Sequence, residues 1–288
     1  SPMSIFDSFE RKHDFLICVD SDGCVMDTMN CKHFNCFGPC MVDEWELDTW
    51  REPILERWNE INLFSMTRGI NRFKGLAMAL GEINETYKPI PGIQYLKAWV
   101  ETAPALSNDG VAKAAAEASD PEAKTIFEKA LAWSKAVNAS IVMLPEELKI
   151  PYAGAKEGLA AAHLVADVAM VSSANRDAVE EEWSKFGLLE HTDIVLAQDI
   201  GSKAACIKAM LQFGYDPDKV VMVGDAPGDL DAAKQNGVHY YPILVNRETE
   251  SWDVFCKDIL AKITDMSYGG SCEAERHQAF FRNLGADV

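Results

Sequence analysis

Short β-branched runs that end in aspartate constrain this chain more than any other feature. Phe15-Leu16-Ile17-Cys18-Val19 runs directly into Asp20-Ser21-Asp22-Gly23. Val220-Val221-Met222-Val223 runs into Gly224-Asp225-Ala226-Pro227-Gly228-Asp229. Apolar runs of this length, closed by Gly and Asp, read as buried parallel strands ending in loops. Ligands of open α/β sheets bind outside the carboxyl ends of the strands. The four carboxylates are therefore expected to meet at one site. Crowded carboxylates repel unless a hard cation such as Mg²⁺ binds them, so the pair of motifs predicts a metal site and phosphate chemistry.

Further strand signals lie at Val168-Ala169-Met170-Val171, Ile194-Val195-Leu196 and Ile243-Leu244-Val245. Helical patterns separate them at about 154–165, 175–186, 202–213 and 229–236. This alternation predicts an α/β fold with a doubly wound, mainly parallel sheet. Residues 30–150 carry no comparable strand signal. One helix is expected over 43–59, with a break or kink at Pro53. Others are expected over 71–80, 93–101 and 111–119, and from Asp120-Pro121-Glu122 to about Val137. The expected organisation is a core of 1–29 and 151–288, with an all-helical insertion over 30–150 that returns through Pro145–Pro151. The segment 272–288 reads as a short helix at best.

Composition narrows the function classes. Lys and Arg number 27 against 45 Asp and Glu, a net charge of −18. That charge argues against nucleic acid or an anionic membrane as partner. No apolar run approaches membrane-spanning length, and no basic-then-apolar leader opens the chain. With eight cysteines and no export signal, the expected state is reduced thiols in the cytoplasm. Cys31, His33, Cys36 and Cys40 cluster, but their spacing matches no standard zinc pattern, so they read as ordinary helix or loop residues. Ser1-Pro2 ahead of Met3 has the look of an expression scar.

The stretch Asp20-Ser21-Asp22-Gly23-Cys24 resembles the first motif of the haloacid dehalogenase superfamily, Asp-x-Asp-Gly-Thr. Ser172 resembles the second motif, Lys203 in Gly201-Ser202-Lys203 the third, and Gly224-Asp225-x-x-x-Asp229 the fourth. Four motifs in order, three of them at predicted strand ends, make the resemblance specific. The inserted helices are similar to the cap domain of many members. The resemblance implies Mg²⁺-dependent hydrolysis of a small phosphomonoester, such as a sugar phosphate, through an aspartyl-phosphate. Asp20 would be the nucleophile and Asp22 the general acid and base. Lys203 and Ser172 would stabilise the phosphoryl group. Asp20, Asp22 through its carbonyl, Asp225 and Asp229 would hold the metal. Aspartate at position 22 favours phosphate esters, since relatives that cleave carbon–halogen bonds lack it. A phosphomutase similar to β-phosphoglucomutase, or a non-catalytic phospholigand-binding protein on this fold, shares the same motifs.

Two positions depart from the family. Cys24 stands where threonine is usual, and Ala204-Ala205 follows Lys203 where relatives carry a proline. Thr67-Arg68-Gly69-Ile70-Asn71-Arg72-Phe73-Lys74 looks like the Gly-x-x-Arg segment through which some relatives contact substrate. On that similarity Arg72 is the first substrate-binding candidate, with Arg68 and Lys74 behind it. The same cations also suit a solvated helix start. Ser173 competes with Ser172 for the phosphoryl contact. The motifs specify neither the substrate nor the oligomeric state.

Overall fold

The computed structural model describes residues 3–288, so the Ser1-Pro2 pair lies outside it. Five parallel strands form one sheet: β1 (Leu16–Val19), β2 (Asp167–Val171), β3 (Ile194–Leu196), β4 (Val220–Gly224) and β5 (His239–Pro242), in the order β3-β2-β1-β4-β5. β1 lies at the centre, with Val19 opposite Met170 on one side and Val223 on the other. Its four residues are all buried, which explains the unbroken apolar run.

Helices Ala155–Val165, Arg176–Lys185, Lys203–Leu211 and Pro227–Gln235 alternate with the strands. This is a doubly wound α/β core. β5 is displaced from the expected 243–245. After Gly237, at φ 65°, the chain pairs at once, with His239 opposite Val221 and Pro242 opposite Gly224. Ile243, Leu244 and Val245 are buried beyond the strand's end. Ile243 N still donates to Gly224 O at 2.8 Å, whereas Leu244 and Val245 owe their strand-like composition to burial.

The chain divides into two compact units, one holding the segment up to Met29 together with Glu147–Val288, the other Asn30–Glu146. The second unit is helical and has its own core, with Trp58, Leu76, Leu80, Leu96, Ile126 and Trp133 at its centre. The expected single helix over 43–59 is two helices. Gly38–Glu44 ends at Glu46, whose φ of 53° no helix continues. Arg51–Leu63 then starts afresh. Pro53 is the third residue of this helix, where a missing N–H breaks no internal hydrogen bond. The helix at Asp120-Pro121 runs over Pro121–Val142, with the Asp120 side chain accepting from Glu122 N at 2.8 Å.

The first unit also contains a short antiparallel pair, Met26–Asp27 with Ile150–Pro151. The segment after 270 is a full helix, Ser271–Asn283, where a short one was expected. It packs on β5: Glu273 accepts from Tyr240 N at 2.9 Å, and Phe280 is buried against the Tyr240 ring. Among the described residues, no helix is long and apolar enough to cross a membrane.

Candidate active site

Asp20 follows β1, Ser172 follows β2 and Asp225 follows β4, so three strand ends deliver three polar side chains to one edge of the sheet. The loop after β1 is tightly wound. Cys24, Val25 and Met26 all donate N–H to Ser21 O, at 3.1, 2.9 and 3.0 Å. Gly23, at φ 78°, makes the turn and donates to Met26 O.

Asp229 lies in the first turn of helix Pro227–Gln235. Its Oδ2 accepts from Asp225 N at 3.0 Å and Ala226 N at 3.1 Å. This folds the carboxylate back over Gly224, where a Cβ would come within 2.4 Å of Asp229 Oδ2. Only glycine permits that approach. Oδ1 of Asp229 receives Lys203 Nζ at 2.7 Å, and the same ammonium lies 3.0 Å from Asp20 Oδ1. Asp20, Asp225 and Asp229 are buried, and each offers an oxygen within 4.8 Å of the others.

The electrostatics follow from this crowding. Burial pushes the Asp20 carboxyl well above its ordinary range, as do the charges of Asp229 and Asp225, against the pull of Lys203. Burial alone would lower Lys203, but Asp20 and Asp229 outweigh it and hold the ammonium well above the ordinary lysine value. When ionised, three carboxylates and one ammonium leave a charge of −3 + 1 = −2. Hard oxygen donors with that surplus fit a divalent cation of the Mg²⁺ type.

Asp22 is not one of these three. It is half-buried, and Thr28 Oγ1 donates to its Oδ1 in a short hydrogen bond. Ser172 is buried. Its Oγ accepts from Ala174 N at 3.1 Å, and its backbone N–H donates to Leu196 O on β3. Ser173 is exposed.

A family model described as haloacid dehalogenase-like hydrolase matches residues 101–243, which hold Ser172, Lys203, Asp225 and Asp229. The chain belongs to the haloacid dehalogenase-like hydrolases. Its fold is also that of solved structures with little sequence in common. A haloacid dehalogenase-like family hydrolase from Xanthomonas campestris superposes with a TM-score of 0.50 at 13% identity, covering 91% of this chain and 98% of that one. A protein designated haloacid dehalogenase-like hydrolase from Bacteroides fragilis gives 0.50 at 10% identity, covering 83% and 93%. No curated protein sequence matches the chain.

The hydrolase holds its first loop with residues that sequence reasoning did not select. Trp183 Nε1 donates to Ser21 Oγ at 2.8 Å, and Trp252 Nε1 donates to Cys24 O at 2.9 Å. Cys24 itself is fully buried, with Sγ 3.7 Å from Val223 O. Burial raises its pKa well above the ordinary thiol value, so it stays a neutral, weakly donating side chain. The tryptophans lie about 160 and 230 positions away in sequence, and only the folded chain brings them to the loop.

The cations of the 67–74 segment fare differently from one another. Arg68 is 2% exposed, and its Nη1 donates to Leu63 O at 2.8 Å. It closes the carboxyl end of helix Arg51–Leu63, with its side chain buried. Arg72 opens helix Arg72–Thr86 and lies over the Phe37 ring at 5.0 Å. Its Nη1 donates to Ser134 Oγ and Asn138 Oδ1, each at 2.9 Å. Among the described residues it pairs with no carboxylate, and burial lowers its pKa. Lys74 is exposed.

Proposed function

We propose that this hydrolase is a Mg²⁺-dependent phosphatase of small phosphomonoesters that works through an aspartyl-phosphate. The observation that carries the reading is one lysine held between two buried carboxylates, Asp20 and Asp229, with a third carboxylate beside them and a separate, hydroxyl-bound Asp22.

Asp20 supplies the nucleophile: its carboxylate oxygen forms a bond to phosphorus as the bond from phosphorus to the leaving oxygen breaks. Asp22 passes its proton to that oxygen, so the alcohol leaves neutral. In the second half, Asp22 takes a proton from water as the water attacks phosphorus, and Asp20 is released as carboxylate. Lys203 neutralises charge on the nucleophile and the phosphoryl oxygens throughout. Ser172 Oγ accepts from Ala174 N, which leaves its hydrogen free to donate to a phosphoryl oxygen. Asp20, Asp225, Asp229 and the carbonyl of Asp22 would hold Mg²⁺, which supplies positive charge opposite the phosphoryl oxygens when bound.

The helical unit is the candidate cap, and Arg72 its candidate anion contact. Among the described residues the guanidinium has no carboxylate partner, in a protein with many carboxylates to offer.

The test is phosphate release from a panel of phosphorylated metabolites, with Mg²⁺ and with EDTA. Metal-dependent release from one compound class supports the reading, whereas an isomerised phosphate ester without free phosphate would replace it with a mutase. Asp20→Asn should lower turnover on the order of 10³-fold or more while leaving the circular dichroism spectrum unchanged. Turnover near wild type would remove Asp20 as nucleophile.

A further inference from the structure

Lys203 occupies an awkward place. It is the first residue of helix Lys203–Leu211, where the helix dipole disfavours a cation. The loop before it contains Gly201 at φ 136°, and Ala204-Ala205 follows. Something else must fix an ammonium that reaches two carboxylates at 3.0 and 2.7 Å.

Arg176 is placed to do so. It is the first residue of helix Arg176–Lys185, four positions after Ser172. Its Nε and Nη2 donate to the two oxygens of Asp199 at 2.8 and 2.9 Å, a two-pronged pair. Its Nη1 donates to Val195 O on β3 at 2.8 Å and to Glu180 Oε1 at 3.1 Å. Asp199 sits in the loop between β3 and Lys203. Alongside the pair, Gln198 N donates to Ala174 O at 3.0 Å and Ser172 N to Leu196 O at 2.9 Å. The hydrogen bond from Arg176 depresses the Asp199 pKa, so the carboxylate is charged at neutral pH. Two parallel bonds fix angle as well as distance, which a lysine cannot do.

We propose that the Arg176–Asp199 clasp locks the loop bearing Ser172 to the loop bearing Lys203, and so positions both side chains for phosphoryl transfer. The proposal rests on the phosphatase reading for the roles of Ser172 and Lys203. Neither Arg176 nor Asp199 touches substrate in it; both are positioning residues. Because they act as a unit, losing either should cost about what losing both costs.

Arg176→Gln, Arg176→Lys, Asp199→Asn and the double variant Arg176→Gln/Asp199→Asn test it, on the most active ester of the panel. Each single variant should lower kcat about tenfold to hundredfold with KM within about threefold of wild type. Arg176→Lys should fare no better than Arg176→Gln, because charge without the fork does not hold the angle. The double variant should be no worse than the poorer single one. Backbone amides over 198–204 should exchange hydrogen at least about tenfold faster in Arg176→Gln and Asp199→Asn. Unchanged exchange in both variants overturns the clasp, as does a kcat within about twofold of wild type despite a lowered Tm. If the wild-type protein releases phosphate from no ester, the phosphatase reading falls by itself, and the exchange rates still decide whether the clasp holds the loop.

Discussion

Asp20 and Asp22 are two positions apart and differ in burial. Asp20 is 6% exposed, beside Lys203 and two further carboxylates. Asp22 is half-buried and carries the hydroxyl of fully buried Thr28. A carboxyl assigned to proton transfer must keep its aim, and Thr28 supplies that restraint. Thr28→Val removes the donor at nearly constant shape. It should slow hydrolysis of an alkyl phosphate about tenfold, and that of p-nitrophenyl phosphate much less, because nitrophenolate departs without a proton. Equal slowing of both esters would show that Thr28 serves the loop and not the acid. Asp20, Ser172 and Asp225 could be placed at strand ends from sequence because each follows a buried apolar run. Thr28 could not be singled out, since one buried threonine six residues on resembles any other.

The elements around the site explain how a loop with Cys24 in place of threonine stays ordered. Trp252 donates to Cys24 O, and its ring lies so close to Gly158 that a Cβ there would come within 2.4 Å of Cε3. Trp252→Phe should lower stability by about 2 kcal/mol or more, through a buried carbonyl left without its donor and a smaller ring. It should lower kcat as well. Trp133→Phe, which loses a similar bond to Phe37 O in the helical unit, should cost comparable stability and spare kcat on p-nitrophenyl phosphate. Calorimetry and steady-state rates on the two variants separate the effects.

Elements were legible where burial and pairing coincide, as in β1 and β4, and misread where they part. Leu244 and Val245 are apolar because they are buried, while His239-Tyr240-Tyr241 pair with β4 under a polar, aromatic composition. The helix Ser271–Asn283 was underestimated because its cohesion comes from tertiary partners on β5. Among these is a pair with a pH signature. The hydrogen bond from His239 Nδ1 to Glu273, at 2.8 Å, raises the histidine pKa against the effect of burial. Burial works to raise Glu273, but the bonds from His239 and Tyr240 N outweigh it and lower that carboxyl. Asp218 also faces His239, and His277 faces Glu273 at 3.6 Å. A raised histidine stabilises fully below its unfolded value of about 6.5 and loses that contribution as pH rises through the folded value. A lowered glutamate stabilises above its unfolded value of about 4.3 and loses its contribution as pH falls through the folded value. Tm should therefore hold between those limits and decline on the alkaline side. His239→Gln should flatten the alkaline decline; an unaltered profile would assign it to other groups.

At the scale of the whole molecule, a net charge of −18 surrounds a site read as binding dianions. The long-range field opposes the encounter, and Lys203 beside Asp20 supplies a local attraction. These two contributions respond differently to salt. Screening lengths fall from about 30 Å at 0.01 M to about 10 Å at 0.1 M, which removes the distant repulsion first. Lys203 is 21% exposed and lies 2.7–3.0 Å from its carboxylates, so it is screened least. For a phosphomonoester, kcat/KM should accordingly rise a few-fold as KCl goes from about 10 to about 150 mM, with kcat nearly constant. This sign is opposite to that of an enzyme with a basic funnel. A fall over the same range would mean that the cations of the helical unit govern approach, and the same titration on Arg72→Ala would then lose its slope.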